Sequence, residues 1–146
     1  MDNMIYIYTD GACKGNPGPG GWGALLKYNK FKKEINGFAL ETTNNIMELT
    51  AVIEALSIIK KKSEITIITD SNYVKDGITK WISNWKKKGW KTANKKPVKN
   101  KSLWEKLDNL TNNHDITWKW VRGHTGNPGN EKADELANEA IINNLS

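Results

Sequence analysis

A chain of 146 residues is long enough to bury a sizeable hydrophobic core and too short for two typical domains, so one domain spanning 1–146 is expected. An apolar share of 38%, a charged share of 26% and the absence of repeats or low-complexity tracts describe a globular protein and exclude a disordered or fibrous one. The net charge of +6 is unevenly spread: nine lysines and no Asp or Glu lie between Gly77 and Trp104, which leaves 13 basic against 16 acidic residues elsewhere.

The apolar runs, such as Ile65 to Ile68, fall far short of the roughly 20 residues of a membrane span. The opening Met4-Ile5-Tyr6-Ile7-Tyr8 reads as a strand rather than the apolar core of a signal peptide. A single cysteine, Cys13, forms no internal disulfide and suits a reducing compartment. A cytoplasmic protein without a membrane partner is expected, and a monomer is the default.

Met4 to Thr9 alternates β-formers and predicts a strand ending at Asp10. Gly15 to Gly21 is a turn, dense in Gly, Pro and Asn. Trp22 to Tyr28 and Lys32 to Leu40 predict two more strands joined at Asn29-Lys30, hence an antiparallel meander. Thr42 or Thr43 caps a helix whose Ile46, Leu49, Ile53 and Leu56 keep helical spacing. Glu64 to Thr69 is a β-branched strand ending at Asp70, and Ser71 caps a short helix broken near Gly77. Lys80 to Lys88 reads as helix, Gly89 to Pro97 as loop, and Leu103 to Leu110 as amphipathic helix. Asp115 to Val121 is a fifth strand, followed by a Gly123 to Asn127 loop. Asn127 and Pro128 then start a last helix through Ala133, Leu136, Ala137 and Ala140. A meander followed by strand–helix–strand order predicts an α/β fold: a mixed five-stranded sheet, antiparallel then parallel, with helices on both faces.

Two apolar strands end in the same way, Ile7-Tyr8-Thr9-Asp10 and Ile67-Ile68-Thr69-Asp70. The helix between them favours a parallel relation, which would bring both carboxylates to the carboxyl edge, where open α/β sheets bind ligands. Either aspartate alone would pass for a cap; the matched pair points further. Glu48 sits on a helical row with Val52, Ala55 and Ile59, so it is either a wet first-turn acid or a buried one needing compensation. Carboxylates without clustered His or Cys favour hard cations such as magnesium or manganese. Two such ions about 3.5–4 Å apart support phosphodiester hydrolysis. The spacing of the last helix does not separate Asp134 from Glu131, Glu135 and Glu139.

The lysine block is interleaved with Trp81, Trp85, Trp90 and Trp104. Tryptophan is ill suited to a merely solvated face, and cationic chains beside flat rings suit a nucleic-acid backbone, so this insertion at about 80–101 is read as a polyanion-binding appendage.

Taken in order, Tyr8-Thr9-Asp10-Gly11-Ala12, Asn16-Pro17-Gly18, Asn44-Asn45-Ile46-Met47-Glu48-Leu49, Thr69-Asp70-Ser71, Val121-Arg122-Gly123-His124 and Asn130-Glu131-x-x-Asp134 resemble type 1 ribonuclease H. The likeness is greatest to bacterial single-domain enzymes with a basic protrusion, and it covers nearly the whole chain. The resemblance implies the ribonuclease H-like fold and an endoribonuclease that cuts the RNA strand of RNA–DNA hybrids, leaving 5′-phosphate and 3′-hydroxyl ends. It implies two magnesium ions, with manganese as a substitute, held by Asp10, Glu48, Asp70 and Asp134, and a proton-handling or product-release role for His124. It places Cys13, Asn16, Thr43, Asn44, Asn45 and Asn72 at the substrate; Asn72 stands where relatives often carry Gln. Trp81, Trp85, Lys86, Lys87, Lys88 and Trp90 of the insertion are the remaining expected substrate contacts. His114 is expected to be a structural residue outside the site. Contacts mainly to backbone and 2′-hydroxyls would leave sequence largely unread.

Overall fold

The computed structural model describes residues 3–92, 94–122 and 126–145. Three antiparallel strands open the fold: β1 (Ile5–Cys13), β2 (Gly18–Tyr28) and β3 (Phe31–Thr42). Helix α1 (Asn44–Ile58) leads to β4 (Glu64–Thr69). Three helical pieces follow in close succession: α2 (Asn72–Asp76), a π-helical turn at Gly77–Trp81, and α3 (Ile82–Lys87). After a loop come α4 (Lys101–Asn112), β5 (Asp115–Trp120) and α5 (Pro128–Leu145). The sheet order is β3-β2-β1-β4-β5, with β4 parallel to both β1 and β5.

This is the predicted mixed five-stranded sheet. Side-chain alternation gives it two apolar faces, and each receives helices. Ile7, Ile65 and Ile67 pack under Leu49, Val52 and Leu56 of α1, and Trp104 and Leu107 of α4 complete the same core. On the other face α5 lies across β1 and β2. Thr43 is the α1 cap: its hydroxyl accepts from the Ile46 N–H at 3.2 Å. The Ser71 hydroxyl likewise accepts from Val74 N–H, and Asn127 Oδ1 accepts from Asn130 N–H at the start of α5.

Three local expectations are corrected. β1 does not end at Asp10 but runs to Cys13, because β2 continues to pair with it as far as Cys13↔Gly20. The Gly-rich turn is correspondingly shorter, since Gly18 to Gly21 already belong to β2. Nor does Gly77 break the helix. Its backbone is right-handed helical (φ −61°, ψ −47°), and the chain passes through it in a π-helical turn. Glycine is needed there for space: a Cβ would run into the Trp104 ring.

That ring organises the insertion. Trp104 is fully buried, and Tyr73, Trp81, Trp85 and Trp90 interlock around it with neighbouring ring centroids 5.3–6.1 Å apart. Tyr73 Oη accepts from Trp104 Nε1 and from Asn100 Nδ2, both at 3.0 Å, which satisfies the buried indole N–H. The tryptophans of the basic block therefore pack its helices against the core, while most of its lysines stay exposed.

Candidate active site

Parallel pairing of β1 with β4 stops at Tyr8↔Ile68. Two residues further on, Asp10 and Asp70 stand on either side of the opening between the strands. β1 still pairs with β2 there, whereas β4 has ended at Thr69. The two aspartates thus reach the same sheet edge by different local structures.

Glu48 enters from α1. The Gly11 N–H donates to Glu48 Oε1 at 3.1 Å, and an added Cβ on Gly11 would sit 2.6 Å from the Glu48 nitrogen. The bare glycine lets α1 lie directly on β1 and brings Glu48 within reach of Asp10. Ligand oxygens of Asp10, Glu48 and Asp70 all fall within 4.8 Å of one another. Asp134 arrives from the opposite face by a similar device. Gly23, the cross-strand partner of Asp10, carries no side chain, and a Cβ there would run into the Ala133 carbonyl of α5. Asp134, the next residue, consequently lies against the Asp10 carboxyl. Of the four acids of α5 it is the one that lines the cavity, a choice that helical spacing alone had left open.

Asp10 and Glu48 are 3% and 5% exposed, and Glu48 Oε2 has no hydrogen-bond partner among the described residues. Burial is the main force on both carboxyls. It pushes Asp10 up to about 10, with Glu48, Asp134 and Asp70 adding to the shift. It pushes Glu48 up to about 8, with the Asp70 charge adding and the Gly11 N–H opposing. Packed acids of this kind, one with an orphaned buried oxygen, fit divalent cations as the missing compensation. With oxygen donors only, a hard ion suits the set.

The surrounding cavity is open and about 580 Å³ in volume. Among the expected substrate residues, Cys13, Asn44, Asn45 and Asn72 line it. Asn16 and Thr43 are outside its lining and instead shape the start of α1: Asn16 Oδ1 accepts from the Asn44 N–H at 3.1 Å, and Thr43 is the cap. Trp81, Trp85 and Trp90 belong to the aromatic cluster, and Lys86 is paired with Asp108 of α4 at 3.2 Å. Lys87 and Lys88 are exposed. His124 lies outside the described residues. His114 is buried just before β5, at the sheet edge opposite Asp10 and Asp70, its Nδ1 accepting from the Ser63 N–H.

One residue of the site carries no motif in the sequence. Asn138, one helical turn beyond Asp134, lines the cavity and donates from Nδ2 to Asp134 Oδ1 at 3.2 Å and to its carbonyl at 2.9 Å. The i, i+4 spacing from Asp134 was the available signal.

The family model described as RNase H matches residues 2–142. The chain belongs to the RNase H family. Proteins named ribonuclease H from Francisella tularensis subsp. novicida (strain U112) and Francisella philomiragia subsp. philomiragia are each 63% identical over 139 residues, covering 95% of this chain and 91% of theirs. Among solved structures, LC9-RNase H1, a type 1 RNase H with the type 2 active-site motif, superposes with a TM-score of 0.86 at 34% identity, covering 97% of this chain and 73% of that one. LC11-RNase H1, solved in complex with an RNA/DNA hybrid, gives a TM-score of 0.73 at 26% identity, covering 97% and 99%. The RNase H-like fold and the acidic cluster of this family member thus agree with the resemblance carried by its motifs.

Proposed function

We propose that the protein is a metal-dependent endoribonuclease of the ribonuclease H class, hydrolysing the RNA strand of RNA–DNA hybrids to 5′-phosphate and 3′-hydroxyl ends. The observation that carries this reading is the group of Asp10, Glu48 and Asp70, buried or half-buried, with ligand oxygens within 4.8 Å of one another. Two magnesium ions, or manganese in their place, would be held by these residues together with Asp134. When bound, such ions supply positive charge for activating water and for stabilising the leaving oxygen.

The protein's own residues do the rest. Gly11 N–H orients Glu48, and Asn138 orients Asp134, so two of the four carboxylates are fixed by hydrogen bonds before any substrate arrives. Cys13, Asn44, Asn45 and Asn72 line the cavity as the contacts to sugar and backbone. Asn16, which accepts from the Asn44 N–H, and Thr43, which accepts from the Ile46 N–H, fix the start of α1 and complete this surface. His124 serves proton movement or product departure. Lys86, Lys87 and Lys88 raise the affinity for a polyanion, and Trp81, Trp85 and Trp90 hold that basic surface in place. Contacts of this type discriminate RNA from DNA by the 2′-hydroxyl and cut many sequences. The enzyme acts as a monomeric single domain in the cytoplasm.

A cleavage assay across hybrid, double-stranded RNA and duplex DNA, with and without magnesium, tests the reading. Magnesium-dependent cutting of RNA in the hybrid alone is the expected result. Tight hybrid binding without cleavage would reassign the fold to a binding module. Cutting or joining of duplex DNA would reassign it to another nuclease or transferase.

A further inference from the structure

A second cavity, about 440 Å³, adjoins the catalytic one. Asp70, Ser71 and Asn72 border both, while Lys75, Trp120 and Arg122 belong to the second alone. The sheet fixes this arrangement. β4 and β5 pair in parallel through Thr69↔Trp120, and the Val121 N–H donates to the Thr69 carbonyl at 3.0 Å, extending the ladder by one bond. Arg122 is thereby set beside Ser71 at the same carboxyl edge as Asp70. Lys75 comes from the other side: its N–H donates to the Ser71 carbonyl at 3.1 Å, one turn along α2. Trp120 forms a rigid wall, its ring stacked on Trp118 at 5.3 Å and 11°.

Lys75 and Arg122 are exposed, and neither pairs with a carboxylate among the described residues. Two exposed cations with no carboxylate partner among the described residues thus line one cavity that borders Asp70, a setting that suits the phosphate of a polyanion. Phosphates of one strand advance only about 3.4 Å each along a duplex axis, so a cavity sharing its border with the catalytic one lies within a few phosphates of the cut. Arg suits such an oxygen pair through its planar fork, and Lys as a point charge.

We infer that the cavity between α2 and the end of β5 is a phosphate subsite, in which Lys75 and Arg122 hold a backbone phosphate of the cleaved strand close to the scissile bond. This rests on the hybrid-cleaving function proposed above. The two residues act as substrate-binding groups, so they set KM more than kcat, and the second anchor fixes the register in which the strand crosses the carboxylates.

The test uses the full chain, Lys75→Gln, Arg122→Gln and their double variant, with Lys61→Gln, remote from the carboxyl edge, as control. Hybrids carry a single uncharged methylphosphonate linkage walked along the RNA strand. Each single variant is expected to raise KM roughly five- to tenfold with kcat little changed, and to lower the salt slope of binding by about one. One linkage position near the cut should raise KM for the wild type and leave the double variant unaffected; Arg122→Lys should recover part of the loss. Unchanged KM and salt slope in the double variant, or equal linkage penalties in both proteins at every position, would overturn the subsite. If the wild type leaves the hybrid uncut, the function fails instead, and equilibrium binding of the same linkage series to the same variants still decides the subsite.

Discussion

The Gly11 N–H and Glu48 Oε1, 3.1 Å apart, join the carboxyl-terminal part of strand β1 to helix α1 just beyond its first turn. This bond needs α1 to lie closer to β1 than any side chain at position 11 allows: a Cβ would meet the Glu48 nitrogen at 2.6 Å and the Met47 carbonyl carbon at 2.7 Å. Both obstacles are backbone and cannot rotate away. Gly11→Ala is therefore expected to cost about 1–3 kcal/mol of stability and to move Glu48 away from Asp10 and Asp70. Urea unfolding reads the first effect and magnesium-dependent cleavage the second. A variant with wild-type values for both would show that α1 has more freedom over β1 than the packing implies.

Asp10 illustrates a conflict between stability and activity. Its folded-state pKa is raised to about 10 from 3.8, chiefly by burial. For a group shifted upward, the stabilising contribution is complete below the unfolded value and is lost as pH rises through the folded one. In the absence of divalent ions, stability should therefore decline between about pH 4 and 10, with Glu48 contributing to the same trend up to about 8. Asp10→Asn removes the larger part of this penalty and a metal ligand together. It should unfold at higher temperature than the wild type at pH 8 without metal, by several degrees at roughly 2–4 °C per kcal/mol, and show no measurable turnover while still binding hybrid. Substantial turnover in Asp10→Asn would remove that residue from the centre of the mechanism.

The same shifts govern cation binding, because ions and protons compete for these oxygens. Magnesium should release protons on binding, bind more tightly at pH 8 than at pH 6, and raise the melting temperature more at the higher pH. At subsaturating magnesium, kcat/KM should climb steeply with pH over this range, and the slope should flatten at saturation. Calorimetry in two buffers of different ionisation enthalpy measures the proton release directly. A pH-independent magnesium affinity would mean that the carboxylates are already ionised in the metal-free protein.

How the site was legible depends on the kind of signal. Asp70 and its strand followed from a β-branched run, and Glu48 from its place on an apolar helical row. Asp10 was found for a partly mistaken reason, since β1 continues to Cys13 and only its pairing with β4 ends before Asp10. Strand ends on one side of a sheet depend on the neighbour, which no local pattern encodes. Asp134 was chosen by resemblance alone, because the feature that selects it is the missing side chain of Gly23, more than a hundred residues earlier. Gly77 is ambiguous in the sequence for a related reason: a glycine can mark a turn or a close approach, and the approaching Trp104 ring comes from a distant helix. Arg122 lies within the Val121-Arg122-Gly123-His124 motif, but nothing local joins it to Lys75; the β4–β5 register and the start of α2 bring the two to one cavity.

The basic insertion separates packing from contact. Lys86 is engaged with Asp108, whose side chain is 17% exposed, while Lys87 and Lys88 are exposed and have no carboxylate partner among the described residues. Trp85 touches Trp81, Trp90 and Trp104. Lys87→Gln with Lys88→Gln should therefore leave the melting temperature unchanged and lower the log–log salt slope of hybrid binding by about 1.5–2. Lys86→Gln should change the slope less, because its charge is already partly neutralised within the protein. Trp85→Ala should behave oppositely, lowering stability by about 2 kcal/mol and weakening hybrid binding at all salt concentrations without altering the slope. Binding titrations across a salt series, with thermal melts of each variant, check the set. A stability-neutral Trp85→Ala with weakened binding would make that ring a direct substrate contact rather than the support of a lysine surface.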